Sequence, residues 1–251
     1  MELVPTDSNA FRSAVEALKE YLPQAQLCIS AEGLRIHGMD VSHVGCVDYF
    51  LSATDCSVLT VSTPVVIGMN MTILARVLSS VGTGETVTLG YKKEKLLVSY
   101  SNEKAAKKAV YEMSTLDIDI DGLDLPSDIQ YGGTIVAKTV DVSSVFKEVG
   151  QFGDSIQLCL DEEGFHISST GDFGHVKQTL ENTEGREMTL MDDSASATFG
   201  TKYLTGILKG GAPLANTVQI DFDAGQPLRA SFRFGQGSHY IVYMAPKLMD
   251  A

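Results

Sequence analysis

The residues best suited to chemistry in this chain are its acids, its five histidines and its four cysteines. Asp117-x-Asp119-x-Asp121-Gly122 matches the opening of a calcium-binding loop, in which alternating carboxylates and a glycine turn wrap a hard cation. Its twelfth position is Asp128 rather than a bidentate glutamate, Pro126 interrupts it, and no amphipathic helix precedes it. A solvated acidic linker is the better reading, with a calcium-binding adaptor as a distant alternative. His37, His43, His166, His175 and His239 show neither H-x-H nor H-E-x-x-H spacing, so no metal site is expected. Cys28, Cys46, Cys56 and Cys159 form no C-x-x-C pair, and reduced, buried thiols in a reducing compartment are the expectation. The sequence holds no Walker A loop, no G-x-G-x-x-G after a strand and no G-x-S-x-G, and Asp192-Asp193 reads as a charged turn. No enzymatic activity and no cofactor are expected.

What the chain does show is duplication. Gln26–Ile36 (QLCISAEGLRI) returns as Gln157–Ile167 (QLCLDEEGFHI) at an offset of 131. Thr86–Leu89 returns as Thr217–Ile220 at the same offset, and Leu74–Leu78 returns as Leu204–Leu208 one residue out of step. One offset across separated blocks means a repeated domain. The expected division is 1–114, a connector at 115–131 (TLDIDIDGLDLPSDIQY), and 132–251. At 251 residues with 44% hydrophobic content, each half can bury a core. No run of 18 apolar residues exists, and the N-terminus lacks the basic and apolar regions of a secretory signal. A soluble protein with no membrane partner, not secreted, is expected.

Periodicity predicts two helices per half among many short antiparallel strands, an α+β class. The helices are expected over 9–21, 72–81, 141–149 and 201–209, with Asn9, Thr72, Asp141 and Thr201 as caps. The strands are expected at 24–30, 34–39, 44–52, 58–62, 86–91, 95–101 and 109–114. In the second half they fall at 133–139, 155–161, 165–170, 175–181, 187–191, 195–200, 217–223, 228–234 and 240–244. The formal net charge of −13 argues against nucleic acid, yet the charges are unevenly placed. The four helices carry six of the 19 basic residues (Arg12, Lys19, Arg76, Lys147, Lys202, Lys209) and four of the 32 acids. Two readings stand: an ordinary solvated helix surface, or basic faces set aside for a polyanion.

Leu34–Val47 (LRIHGMDVSHVGCV) resembles the L-R-I-x-x-M-D-x-S-H-V block of the proliferating cell nuclear antigen sliding clamps. Tyr111-Glu112-Met113 resembles their D-Y-E-M strand, Thr115–Tyr131 their interdomain connecting loop, and Met244-Ala245-Pro246-Lys247 their L-A-P-K tail. The blocks come in family order along essentially the whole chain. The resemblance implies a duplicated two-domain DNA-clamp fold, with antiparallel sheets outside and two helices per domain lining a ring. It implies a homotrimer that encircles duplex DNA without sequence specificity, acts as a polymerase processivity factor, and tethers replication and repair proteins. It further implies an ATP-dependent clamp loader, and the nucleus as location in a eukaryotic cell or host, the cytoplasm otherwise. A checkpoint-type subunit of a hetero-oligomeric ring is the alternative.

Carried over by position, Arg12, Lys19, Arg76, Lys107, Lys147, Lys202 and Lys209 are the DNA-facing bases. Ser13, Ser79 and Ser144 stand where many relatives carry Lys or Arg, which implies a less basic pore. Glu162 stands where eukaryotic relatives carry a modifiable lysine. Strands 109–114 and 175–181 lack obvious partners, and matching family strands pair between subunits, which assigns Val110, Tyr111, Val176 and Gln178 to a subunit interface. The partner-peptide pocket of the family falls on Met39, His43 and Val44, then Leu123, Leu125 and Pro126, then Pro227, Tyr243, Ala245 and Pro246. Leu123 and Leu125 lie among acids, where exposed leucines gain nothing in water. They either receive a partner or pack on their own domain.

Overall fold

The computed structural model describes residues 1–102, 107–118, 129–172 and 174–247, with the side chains at 102 and 107 outside that description. The chain forms two compact units. Unit 1 comprises Met1–Val41, Val47–Leu123 and Phe234–Tyr240, and unit 2 comprises Ser42–Cys46, Asp124–Arg233 and Ile241–Ala251. The break between Leu123 and Asp124 falls inside the acidic connector, and each unit also takes a short segment of the other half of the sequence.

The first half runs β1 (Glu2–Pro5), α1 (Ser8–Tyr21), β2 (Gln24–Ser30), β3 (Gly33–Met39), β4 (Gly45–Ser52), a 3-10 turn at Ala53–Asp55, β5 (Cys56–Thr60), β6 (Val65–Asn70), α2 (Met71–Ser79), β7 (Thr86–Lys92), β8 (Lys95–Asn102) and β9 (Lys107–Ser114). The second half repeats that order: β10 (Gly133–Lys138), α3 (Thr139–Val149), β11 (Ser155–Asp161), β12 (Gly164–Gly171), β13 (Gly174–Leu180), β14 (Glu187–Leu190), β15 (Ala195–Gly200), α4 (Thr201–Gly211), β16 (Thr217–Phe222), β17 (Leu228–Phe234) and β18 (Ser238–Met244). The duplication extends to the pairing. The strands of the first half run in the orders β5-β1-β7-β8-β9 and β4-β3-β2-β6, and those of the second half in the orders β14-β10-β16-β17-β18 and β13-β12-β11-β15. The described ladders are antiparallel, and Cys28 opposite Arg35 recurs as Cys159 opposite His166, 131 residues on. The fold class is the duplicated two-domain α+β arrangement of antiparallel sheets and two helices per domain expected from the sequence.

Each helix buries one stripe against its sheets. In α1 the stripe is Phe11, Ala14, Val15, Leu18 and Tyr21, at spacings of three and four. In α3 it is Val142, Val145, Phe146 and Val149. Leu18 is fully buried, and Leu18→Ala would cost about 3 kcal/mol through transfer loss and cavity formation. α1 packs against α2, and α3 against α4.

The caps differ from expectation. Asp7 caps α1, its Oδ1 accepting from the N–H groups of Asn9 and Ala10 at 2.9 Å each. Asn70 caps α2 by accepting from Ile73 N at 3.0 Å. Asn9 and Thr72 therefore sit inside the first turns, because the cap must precede the residues whose orphan N–H groups it satisfies. α3 and α4 begin after Lys138 and Gly200 with no side-chain cap, so Asp141 and Thr201 are helical residues. Two strands escaped the sequence reading. β1 is only four residues long, and β6 reads as a near-continuous apolar run without period-2 alternation.

The start of the connector is fixed within unit 1. Leu116 N donates to Gly68 O at 2.8 Å, and Gln26 Nε2 donates to Ile118 O at 2.6 Å. A Cβ at Gly68 would stand 2.1 Å from Leu116 O, so only glycine lets the connector lie against β6.

Candidate nucleic-acid and partner interfaces

The basic residues divide into tied and untied. Arg12, in α1, donates from Nη1 to Val81 O at 2.9 Å. Lys19 forms an ion pair with Glu16 one turn before it, with Glu20 at 3.9 Å. The side chains of Arg76 on α2, Lys147 on α3, and Lys202 and Lys209 on α4 are exposed and make no ion pair among the described residues. Lys107 has its side chain outside the described residues. Glu148, beside Lys147, accepts from Gln178 Nε2 and from Ser144 Oγ, each at 2.9 Å. Those two bonds hold its carboxyl below the usual range. Ser144 thus orients the acid one turn along its own helix.

β9 and β13 each end a sheet among the described residues. On β9, Val110 and Tyr111 are 56% and 37% exposed. Tyr111 pairs with the buried Val98, so its ring lies on the core side of the sheet. It stacks on Tyr100 with centroids 5.9 Å apart, and the two hydroxyls are 3.2 Å apart. On β13, Val176 and Gln178 lie opposite the buried Ser169 and Ile167, also on the core side.

The residues expected to receive a peptide fall in both units. Met39, in unit 1, ends β3 with 41% of its surface exposed. In unit 2, His43 has a left-handed backbone with φ of 56°, and Val44 O accepts from Ala245 N at 2.8 Å. Tyr243 is buried, Pro227 and Pro246 are half-buried, and Ala245 is exposed. Leu123, Leu125 and Pro126 lie outside the described residues, as does most of the Asp117–Asp128 calcium pattern. The sequence reading missed the cluster at the connector's end. Arg229 lies over the Tyr131 ring at 5.3 Å and bonds the buried Asp221 through Nε at 2.9 Å. Gln219 and Thr134 also donate to Asp221. Burial pushes the Tyr131 hydroxyl up to about 12, with Arg229 opposing. Little in TVQIDF marks Asp221 as buried, because apart from Gln219 its partners Thr134 and Arg229 come from two other strands.

No chemistry gathers elsewhere among the described residues. The four cysteines are free, and burial raises the thiols of Cys28, Cys56 and Cys159, that of Cys56 to about 11. Among the described residues no group of three or more His, Cys, Asp or Glu could hold a metal ion. No helix among them is long and apolar enough to cross a membrane.

Comparison with known families decides the kinship. Residues 1–123 match the family model "Proliferating cell nuclear antigen, N-terminal domain", and residues 126–247 match "Proliferating cell nuclear antigen, C-terminal domain". The chain belongs to the PCNA family of sliding clamps. Its fold is similar to that in the crystal structure of Proliferating Cellular Nuclear Antigen from Entamoeba histolytica, with a TM-score of 0.90 at 22% identity, covering 98% of each chain. The two PCNA domain matches meet inside the acidic connector, as the duplication requires.

Proposed function

We propose that this chain is a DNA sliding clamp that closes as a homotrimer around duplex DNA and acts as a processivity factor without enzymatic activity of its own. The observation that carries the proposal is an asymmetry between strands related by the repeat. In unit 1, Ser238–Tyr240 of β18 lies beside β4, with His239 Nε2 3.1 Å from Asp48 Oδ2 and Ser52 N donating to Ser238 Oγ at 3.0 Å. The offset of 131 maps β4 onto β13, β18 onto β9, Asp48 onto Thr179 and His239 onto Lys108. β9 and β13 end their sheets, and each chain carries one of each. A second copy supplies β9 to β13 in the same register, with Tyr111 opposite Val176. Such a head-to-tail contact generates a ring when the rotation closes, and covering both edges removes an aggregation liability.

In that ring Arg76, Lys147, Lys202 and Lys209 face the phosphates, with Arg12, Lys19 and Lys107 beside them. Phosphate contacts carry no sequence information, and a closed ring is retained by topology, so each contact can be weak. The acidic remainder of the surface repels DNA everywhere else. An ATP-dependent loader opens the ring. Polymerases and repair proteins dock through a Q-x-x-[ILM]-x-x-aromatic-aromatic peptide, for which the family resemblance assigns Met39, His43, Val44, Leu123, Leu125, Pro126, Pro227, Tyr243, Ala245 and Pro246. In a eukaryotic cell or host the clamp works in the nucleus.

Light scattering on the purified protein tests the assembly. A mass three times the 27.0 kDa chain is expected. A monomer that assembles only with other chains would replace this reading with a checkpoint-type subunit. For docking, Tyr243→Ala should weaken a fluorescent peptide of that pattern by more than about 1 kcal/mol, as truncation of a buried anchor does, while the trimer persists.

A further inference from the structure

The loop 42–45 contains a residue that its own backbone energetics do not favour. His43 sits at φ of 56°, the left-handed region that β-carbon sterics disfavour for any residue but glycine. Such a conformation persists only where flanking contacts over-determine it. Both flanks are tied within unit 2. On one side Ser42 Oγ and Tyr203 Oη share a hydrogen bond of 2.6 Å. On the other, Val44 O accepts from Ala245 N at 2.8 Å. Tyr203 comes from α4, a helix that buries Leu204, Ile207 and Leu208 and therefore does not move freely. Ser42 itself is exposed on the loop. The tie thus joins an exposed loop to a helix anchored in the core, next to the residues assigned to the peptide pocket.

We infer that Tyr203 and Ser42 are positioning residues for partner peptides: their hydrogen bond holds His43 and Val44 in the peptide-competent conformation before the peptide arrives. The inference rests on the partner-pocket reading of His43, Val44 and Tyr243. A loop that is already ordered does not lose conformational freedom on binding. When only a fraction of molecules is competent, the apparent affinity falls by that fraction. The loss then appears in the association rate, because the bound state keeps its contacts.

Stopped-flow binding of a fluorescent Q-x-x-[ILM]-x-x-aromatic-aromatic peptide to the full chain tests this. Tyr203→Phe removes one hydroxyl and should lower the association rate about three- to tenfold, the equivalent of one net hydrogen bond, with dissociation unchanged. Ser42→Ala should give the same loss, Ser42→Thr should restore most of the rate, and the double variant Ser42→Ala/Tyr203→Phe should be no worse than either single change. Ser42→Ala alters an exposed loop side chain, so it keeps the test open if Tyr203→Phe compromises folding. An unchanged association rate, a change confined to dissociation, or additive losses in the double variant would each overturn the inference. Tyr243→Ala separates the two readings. If it weakens the peptide while the Ser42 and Tyr203 variants do not, only the positioning role fails. If none of the three matters, the pocket reading fails.

Discussion

Strands β4 and β13 occupy the same place in the two repeats, and their surroundings differ at nearly every residue. Cys46, Val47, Asp48, Tyr49 and Leu51 of β4 are buried, whereas Leu180 is the one buried residue of β13. The cross-strand pair beside them has changed chemistry with the surroundings. Arg35 holds Asp48 through two bonds, Nε to Oδ1 at 2.8 Å and Nη2 to Oδ2 at 3.0 Å, and His239 approaches the same carboxylate. At the equivalent positions 131 residues on, His166 Nδ1 meets Thr179 Oγ1 at 2.8 Å, and Asp161 takes the other ring nitrogen at 2.9 Å. A covered strand can keep a buried carboxylate because two basic side chains satisfy it. An exposed edge carries a threonine, which needs no counterion whether wet or covered. The repeat preserved the pairing and let the side chains follow the presence or absence of a neighbouring strand.

The largest break in that comparison comes from removing the buried carboxylate. Asp48→Ala leaves Arg35 and His239 without their shared acceptor and should cost about 3 kcal/mol in urea unfolding. Thr179→Ala, at the open edge, should cost under about 1 kcal/mol. Equal losses would contradict the contrast in burial. The acid response follows from the same site. Burial pushes the Asp48 carboxyl up, and the bonds from His239 and Arg35 outweigh it, leaving it below the ordinary carboxylate range. A lowered folded-state pKa contributes stability that is present above the unfolded value and lost as pH falls through the folded one. Acid unfolding of the wild type should therefore draw part of its steepness from below about pH 4, and Asp48→Asn should flatten that limb.

Subunit association should show the next effect. Tyr111 already stacks on Tyr100 within its own sheet, so only its exposed part is available to a second chain. Tyr111→Ala should weaken the trimer by about 1–2 kcal/mol, or roughly five- to thirtyfold in dissociation. Analytical ultracentrifugation at submicromolar protein reads this directly. A variant that stays trimeric on dilution would show that β9 is not the joining edge.

The same contrast explains what could be read from the sequence. Cys28 and Cys159 advertise the repeat because their strands have similar neighbours in both halves. Arg35 with His166, and Asp48 with Thr179, hide it, because the slots are shared and the residues are not. Fold class, helix faces and most strands follow from periodicity, which is local. The true caps Asp7 and Asn70 each lie two positions upstream of the choices suggested by the apolar pattern, since a cap stands outside the periodic residues. The Ser42–Tyr203 and Tyr131–Arg229–Asp221 contacts join segments far apart in sequence, and no local pattern announces them. Leu123 and Leu125 remain assigned through the family resemblance and the cost of exposing leucine.

The smallest effect separates the helices of the two units. Each phosphate neutralised by a lysine or arginine releases condensed counterions, so the slope of log affinity against log salt counts effective contacts. Lys19 on α1 is already paired with Glu16, and a surface pair of this kind contributes little to stability while still lowering the local potential. Lys147 on α3 makes no such pair among the described residues, and its neighbour Glu148 is drawn toward Gln178 and Ser144. Lys147→Ala should therefore flatten the salt dependence of DNA retention by up to about one unit of slope, and Lys19→Ala by less. Glu16→Gln should steepen the slope, because it releases Lys19 to the phosphates. Measurements on circular duplex DNA, with the trimer mass checked for each variant, keep loss of the ring from imitating loss of contact. Equal slopes for Lys19→Ala, Lys147→Ala and wild type would remove these helices from the DNA-facing surface. A steeper loss at Lys19 than at Lys147 would show that the Glu16 pair opens when DNA is present.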